Sequence, residues 1–225
     1  MLIAEIFHSI QGEGRYAGTA SVFVRTSGCN LRCWFCDTPY TSWNPEGTAW
    51  SVEAILTEVA RYNCPHVVLT GGEPMLVPDL VELTQELAQR GAFVTIETAG
   101  TVDLPVVADL LSISPKLRNS TPIGDEWATR HDERRHAPEV IRRLIRDYPY
   151  QLKFVIDRPD DVADVERWLT EFPEVAAENL YLMPQAITAD ALRVKSAWVQ
   201  HAAVERGWQF SPRLHVEMFG SQRGV

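Results

Sequence analysis

No stretch of the 225-residue chain approaches the roughly 20 consecutive apolar residues that cross a bilayer. Its start, MLIAEIFHSIQGEG, also lacks the basic, apolar and small-residue order of an export signal, so a cytoplasmic location is expected. Excess positive charge is missing too: 21 Lys and Arg stand against 30 Asp and Glu, a formal net charge of −9. The long-range field of such a protein repels phosphate backbones and anionic lipid. Neither nucleic acid nor membrane is therefore an expected partner, and an anionic ligand must be met by local basic groups. Cysteine is scarce. Four residues, three of them within eight positions, make a poor disulfide framework for a chain this long, whereas clustered thiolates suggest a metal. What is present is an ordinary globular composition, 45% hydrophobic and 23% charged, for which one domain over residues 1–225 is the simplest expectation.

Apolar residues at Val52, Ile55, Leu56, Val59 and Ala60 follow one helical stripe behind Ser51, a good N-cap. His66 to Thr70 is a short apolar run that breaks at Gly71-Gly72, as a buried strand ending in a loop does. A second helix is expected from Pro78 through Leu80, Leu83 and Leu87, stopping at Gly91. Strands are expected at 22–25, 93–96, 110–113, 152–156 and 180–183, with helices at 138–147, 160–171 and 188–207. Residues 117–137 have no apolar period and predict a long surface loop. The alternation predicts an α/β fold with right-handed crossovers and a parallel sheet of about six strands. It places the loops after Gly28, Thr70, Thr98, Ser114 and Met183 on one rim, where such sheets bind ligands.

Cys29, Cys33 and Cys36 stand in a C-x3-C-x2-C loop directly after the strand Val22-Phe23-Val24-Arg25. Iron-sulfur clusters are commonly held by four cysteines, so three leave one iron open to an external ligand. S-adenosylmethionine (SAM) can fill that position through its amino and carboxylate groups, with its sulfonium close enough for one electron to release a 5'-deoxyadenosyl radical. The competing reading is a structural zinc site completed by Cys64 or His66. Both precede a predicted strand and should lie at the far end of the sheet, which leaves Cys64 as a small apolar residue or bystander thiol.

The loop resembles the signature of the radical SAM superfamily, and Thr70-Gly71-Gly72-Glu73-Pro74 resembles its GGEP strand end, where glycine permits close backbone approach to SAM. This implies a partial, open (β/α) barrel with a 4Fe-4S cluster on Cys29, Cys33 and Cys36. Ser9-Ile10-Gln11-Gly12-Glu13-Gly14, Arg25, Cys36-Asp37-Thr38 and Ser114-Pro115-Lys116 together resemble the 7-carboxy-7-deazaguanine synthase family over nearly the whole chain. The resemblance implies a magnesium-dependent homodimeric lyase that uses SAM catalytically. It would turn 6-carboxy-5,6,7,8-tetrahydropterin into 7-carboxy-7-deazaguanine with loss of ammonia, towards deazapurines such as queuosine.

Residue by residue, the resemblance assigns the pterin to Ile10, Gln11, Gly12, Glu13, Arg25, Thr70 and His215. It assigns SAM to Phe35, Cys36, Asp37, Gly72, Glu73, Ser114, Pro115, Lys116, Met183, Pro184, Gln185 and Ala186, and magnesium to Thr38. The chemistry agrees. An aminopyrimidinone edge carries donors and acceptors that the Gln11 amide complements, while Glu13 only accepts. Arg25 offers a planar fork for the substrate carboxylate. Magnesium completes its octahedron with water and substrate oxygen, so a single hydroxyl is enough. Simpler roles stay open: Glu13 as a solvated loop charge, Arg25 as a surface strand residue, Asp37 or Thr38 as a helix N-cap, Lys116 as a loop cation and His215 as a packed residue. The match weakens at Met183 to Ala186 and at Ser211 to His215.

The expected mechanism takes hydrogen from carbon 6 of the pterin, after which the ring contracts and ammonia leaves; a flavodoxin- or ferredoxin-like reductant would supply the electron. Two rivals remain. One is an activase that abstracts hydrogen from a glycine of a partner protein, and the other is a zinc-stabilised binding module without catalysis.

Overall fold

A computed structural model describes residues 1–220 and 222–225. Among these residues nine strands form one sheet: β1 (Leu2–Ile10), β2 (Ala20–Thr26), β3 (Thr48–Ala49), β4 (His66–Gly71), β5 (Phe93–Thr98), β6 (Leu110–Ile113), β7 (Tyr150–Ile156), β8 (Leu180–Pro184) and β9 (Gln209–Phe210). Their order is β3-β1-β2-β4-β5-β6-β7-β8-β9. From β2 to β9 every pairing is parallel, and β1 runs antiparallel to both β2 and β3. The six long parallel strands are those expected from the apolar runs. β1 goes beyond that expectation: its sequence LIAEIFHSI mixes charge into the alternation, and only pairing with β2 makes it a strand.

Among the described residues eight helices accompany the sheet: α1 (Pro39–Ser42), α2 (Val52–Arg61), α3 (Leu80–Gln89), α4 (Ala128–Arg134), α5 (Pro138–Asp147), α6 (Pro159–Glu171), α7 (Ala189–Glu205) and α8 (Leu214–Phe219). The caps follow their residue types. Ser51 Oγ accepts from Ala54 N at 3.2 Å and Thr188 Oγ1 from Ala191 N at 3.3 Å, while Gly91 and Gly207 adopt positive φ after α3 and α7. α3 opens at Leu80, two residues later than Pro78 suggests.

Strand periodicity sorts the chemistry. On β7, Leu152, Phe154 and Ile156 enter the helix-packed core, and Lys153 and Val155 turn to the opposite face. On β4, Leu69 faces the core and Thr70 the other side; on β5 the same holds for Ile96 and Glu97. One face of the sheet is therefore packed under α2, α3, α5, α6 and α7, and the other is free to line a cavity. Among the described residues no helix is long and apolar enough to cross a membrane.

One expectation is corrected. Residues 117–137 are not a plain surface loop: they hold a 3-10 turn at Arg118–Ser120 and α4, with Ser120, Thr121 and His131 buried. Their apolar signal is weak because they are anchored by hydrogen bonds to the cysteine loop, not by an apolar stripe.

Candidate active site

The cysteine loop leaves β2 and is fixed from three sides. Gly28 N donates to Thr41 O at 2.8 Å, Trp34 N to Ser120 O at 3.2 Å, and Trp43 Nε1 to Cys33 O at 3.1 Å. Beneath it lies His131, whose Nδ1 accepts from Arg32 N at 3.1 Å and whose Nε2 meets Ser120 Oγ at 2.9 Å. Burial and neighbouring cations push this imidazole down to about 4, so it stays neutral while holding the loop. Cys29, Cys33 and Cys36 are free thiols lining one cavity of about 450 Å³. Burial above all, with mutual repulsion among the three sulfurs, pushes Cys29 up to about 11 and Cys33 up to about 12, and the Lys116 ammonium opposes this. Three thiols on one wall, with Cys29 and Cys33 held protonated chiefly by burial, are a donor set suited to a cationic centre, since bound iron favours the thiolate. Cys64 lies at the other end of the sheet, its Sγ 3.3 Å from Ala20 O, and takes no part.

The strand end Thr70-Gly71-Gly72-Glu73 closes against this loop. A Cβ on Gly71 would stand 2.1 Å from Thr26 O, and one on Gly72 2.1 Å from Gly28 O. Gly71 also has φ +135°, a conformation that disfavours any side chain. These glycines let β4 hydrogen-bond the start of the cysteine loop, through Gly72 N to Thr26 O at 3.1 Å and Glu73 N to Gly28 O at 2.9 Å. The Glu73 side chain does not reach the cavity. It is fully buried behind the wall and accepts from Thr98 Oγ1 at 2.8 Å, Ala99 N at 2.8 Å and Met75 N at 3.1 Å. Pro115 and Pro184 likewise stand outside the cavity lining, whereas Phe35, Asp37, Gly72, Ser114, Lys116, Met183, Gln185 and Ala186 form it. Lys116 Nζ is folded onto Ser114, 2.8 Å from its carbonyl and 2.7 Å from its hydroxyl. Thr38 precedes α1 at the N-cap position, yet its hydroxyl caps nothing and faces the cavity.

Ile10, Gln11, Gly12, Glu13, Arg25, Thr70 and His215 all line the same cavity. The Gln11 amide, expected to read the ligand, is largely engaged within the protein: Oε1 accepts from Glu13 N at 3.0 Å and Nε2 donates to Glu97 Oε1 at 3.2 Å. Thr70 Oγ1 donates to Glu97 Oε2 at 2.8 Å. Glu13 is no solvated loop charge. It meets Lys153 Nζ at 2.7 Å, Arg213 Nε at 3.1 Å and His215 Nε2 at 3.8 Å. Burial raises its pKa, but these cations outweigh burial and hold the carboxyl well below the usual range. Glu13, Asp37 and His215 bring ligand atoms within 4.8 Å of one another, and Arg213, paired with both carboxylates, already supplies the charge they need. Arg25 is not a surface residue; its Nε donates to Glu5 Oε1 at 2.6 Å on the cavity wall.

Comparison with known proteins agrees with this arrangement. Residues 23–117 match the Radical SAM superfamily. The 7-carboxy-7-deazaguanine synthase of Rhodopirellula baltica is 47% identical over 229 residues, covering 100% of this chain and 89% of that protein. The chain belongs to the 7-carboxy-7-deazaguanine synthase family. The synthase of Halobacterium salinarum is 46% identical, covering 96% of this chain and 90% of its own length. The crystal structure of QueE from Escherichia coli superposes with a TM-score of 0.70 at 25% identity, over 93% of this chain and 92% of that one. The sheet is accordingly the open, mostly parallel sheet of a radical SAM enzyme, and the cofactors of the family are the 4Fe-4S cluster and SAM, with magnesium.

Within this synthase family site, four charged residues escape a reading of the sequence alone. Lys153, Glu97 and Arg213 surround Glu13 and Gln11, and Glu5 meets Arg25. A signal existed for Lys153. A lysine inside the apolar strand LKFVI is rare unless it is paired, so it called for an acid partner. Arg213, 200 positions from Glu13, gives no such local sign.

Proposed function

We propose that the chain converts 6-carboxy-5,6,7,8-tetrahydropterin to 7-carboxy-7-deazaguanine with loss of ammonia. The observation that carries this reading is that the cysteine loop and the polar row of Gln11, Glu13, Thr70 and Arg25 open into one cavity. Its volume suits a small polar substrate beside a nucleoside cofactor. In this reading Cys29, Cys33 and Cys36 hold the cluster, and Thr38 supplies a hydroxyl to magnesium. Ser114, Lys116, Phe35, Asp37 and the 183–186 segment border SAM. A cluster and SAM held there would supply hydrogen-abstracting radical chemistry beside the substrate.

The protein's own work is placement. Glu13, kept ionised by Lys153 and Arg213, accepts from the amino-bearing edge of the pterin. Arg25 presents guanidinium nitrogens to the carboxylate, and the apolar rings of Phe7, Phe23 and Phe35 on the cavity wall keep water from the reacting carbon. We further propose that residues 1–225 act as one domain, which the single continuous sheet supports, that two chains form a homodimer, and that a flavodoxin- or ferredoxin-like protein delivers the electron. Anaerobic turnover of the reduced enzyme with SAM and carboxytetrahydropterin, read by mass spectrometry, should yield 7-carboxy-7-deazaguanine and ammonia. Radical transfer to a protein glycine with no deazaguanine would overturn the assignment.

A further inference from the structure

Resting on the assignment of Arg25 to the substrate carboxylate, we propose that Glu5 is a positioning residue that sets the Arg25 guanidinium for that carboxylate, with Tyr40 fixing Glu5 in turn.

The arrangement begins in the backbone. Ile3 pairs with Thr26 and Glu5 with Arg25, so β1 carries one residue more than β2 across this step. This bulge re-aims the strand. In a regular strand Ile3 and Ile6 would point to opposite faces; here both pack on the core, and Glu5 and Phe7 turn to the cavity beside Arg25 and Phe23. The bulge thus delivers an acid to the cavity wall directly opposite Arg25.

Glu5 is then held from both sides. Its Oε1 accepts from Arg25 Nε at 2.6 Å and from the Tyr40 hydroxyl at 2.7 Å, and Oε2 lies 3.5 Å from Arg223 Nε. The guanidinium of Arg223 stacks 3.9 Å from the centroid of the Tyr40 ring, which clamps that ring in place. Arg25 itself lies 5.6 Å from the Phe7 centroid. With Nε committed to Glu5, its terminal nitrogens find no hydrogen-bond partner among the described residues. A guanidinium tied at Nε retains its outer edge, the edge that grips a carboxylate with two parallel bonds. An untied arginine samples many rotamers and loses that entropy on binding. The structure therefore gives Glu5 a role through Arg25, distinct from packing.

The test is the affinity of the cluster-loaded, SAM-bound enzyme, with magnesium present, for 6-carboxypterin and for pterin lacking the carboxylate, titrated by fluorescence. Wild type should prefer the carboxylated ligand. Glu5→Ala should lose that preference by roughly tenfold or more, as expected for a charge-assisted bond, with pterin affinity unchanged. Glu5→Gln, which keeps an acceptor oxygen, should recover part of it, and Tyr40→Phe, which keeps the ring and is the gentler change for folding, should lose a smaller part. A preference unchanged in the Glu5 and Tyr40 variants, or an equal loss for both pterins, overturns the proposal. No preference in wild type overturns the prior assignment of Arg25 instead, and the proposal falls with it.

Discussion

Replacing Lys153 with methionine tests whether the interior of the site is an electrostatic unit. Lys153 is buried, with Nζ 2.7 Å from Glu13 and 3.6 Å from Glu97. Methionine keeps most of the volume, so the change removes charge more than packing. Breaking a buried pair by deleting one partner costs about 3–5 kcal/mol, chiefly for the stranded opposite charge. Glu13 retains Arg213 at 3.1 Å, which argues for the lower end, about 3 kcal/mol. For a chain of 225 residues that corresponds to a fall of about 6–12 °C in melting temperature. The pH dependence has a definite sign. In wild type, cations outweigh burial and depress the Glu13 pKa, so its contribution is present above the unfolded carboxyl pKa and is lost only as pH falls through the lower folded value. Without Lys153 the buried carboxylate takes up a proton more readily, so the gap between variant and wild type should narrow on acidification. Circular-dichroism melts of both apoproteins from pH 8 to pH 5 measure it. Adding Glu13→Gln to the variant should restore part of the loss, because it removes the stranded charge. A melting temperature equal to wild type, or a double variant as unstable as the sum of the single ones, would refute this reasoning.

The other predictions address the cysteine loop. Gly72→Ala places a Cβ 2.1 Å from the Gly28 carbonyl and must push strand end and loop apart; iron and sulfide bound per chain after reconstitution should fall, and full loading would contradict that close approach. His131→Asn keeps an acceptor for Arg32 N but cannot take a proton. Because burial pushes His131 down to about 4, wild type should lose stability as pH falls from about 6.5, its unfolded value, and the variant should lose less; parallel slopes in urea melts at pH 7 and pH 5 would remove His131 from the balance. Thr38→Ala should reduce the stimulation of turnover by magnesium several-fold while leaving the cluster absorbance intact, and an unchanged magnesium titration would take Thr38 out of the site.

The parts of the fold that could be read in the sequence are those whose forces are local. Val67 to Thr70, Phe93 to Ile96 and Leu152 to Ile156 are apolar runs closed by glycine, proline or polar residues, and each became a central strand because burial against helices requires that composition. The cysteine loop was legible for a related reason: metal ligation fixes residue type and spacing within eight positions. β1 and the 117–137 segment were not legible. The first is a strand through its ladder with β2, and the second is ordered by distant backbone: Asn119 Nδ2 donates to Val155 O, and Ser120 O and His131 Nδ1 accept from Trp34 N and Arg32 N.

The same distinction explains what was missed in the site. Gln11, Glu13, Arg25 and Thr70 belong to recognisable segments, but the charges that give them direction come from elsewhere in the chain. Lys153 reaches Glu13 across 140 positions and Arg213 across 200. Long-range pairing leaves no period in a sequence, only the anomaly of a charge where burial is expected. That anomaly carries weight for mechanism. Six of the ionisable groups on the cavity wall, Glu13, Glu97, Asp37, Lys153, Arg213 and His215, form one cluster around Glu13. Three are acids, two are permanent cations, and the sixth is an imidazole 3.8 Å from Glu13. In the proposed reading, a ligand with hydrogen-bond donors on one edge and a carboxylate on another would set its donors against Glu13 and its carboxylate against Arg25. Because Lys153 and Arg213 already balance the acids around Glu13, that orientation would come from matching donors to acceptors and not from the net charge of the cluster.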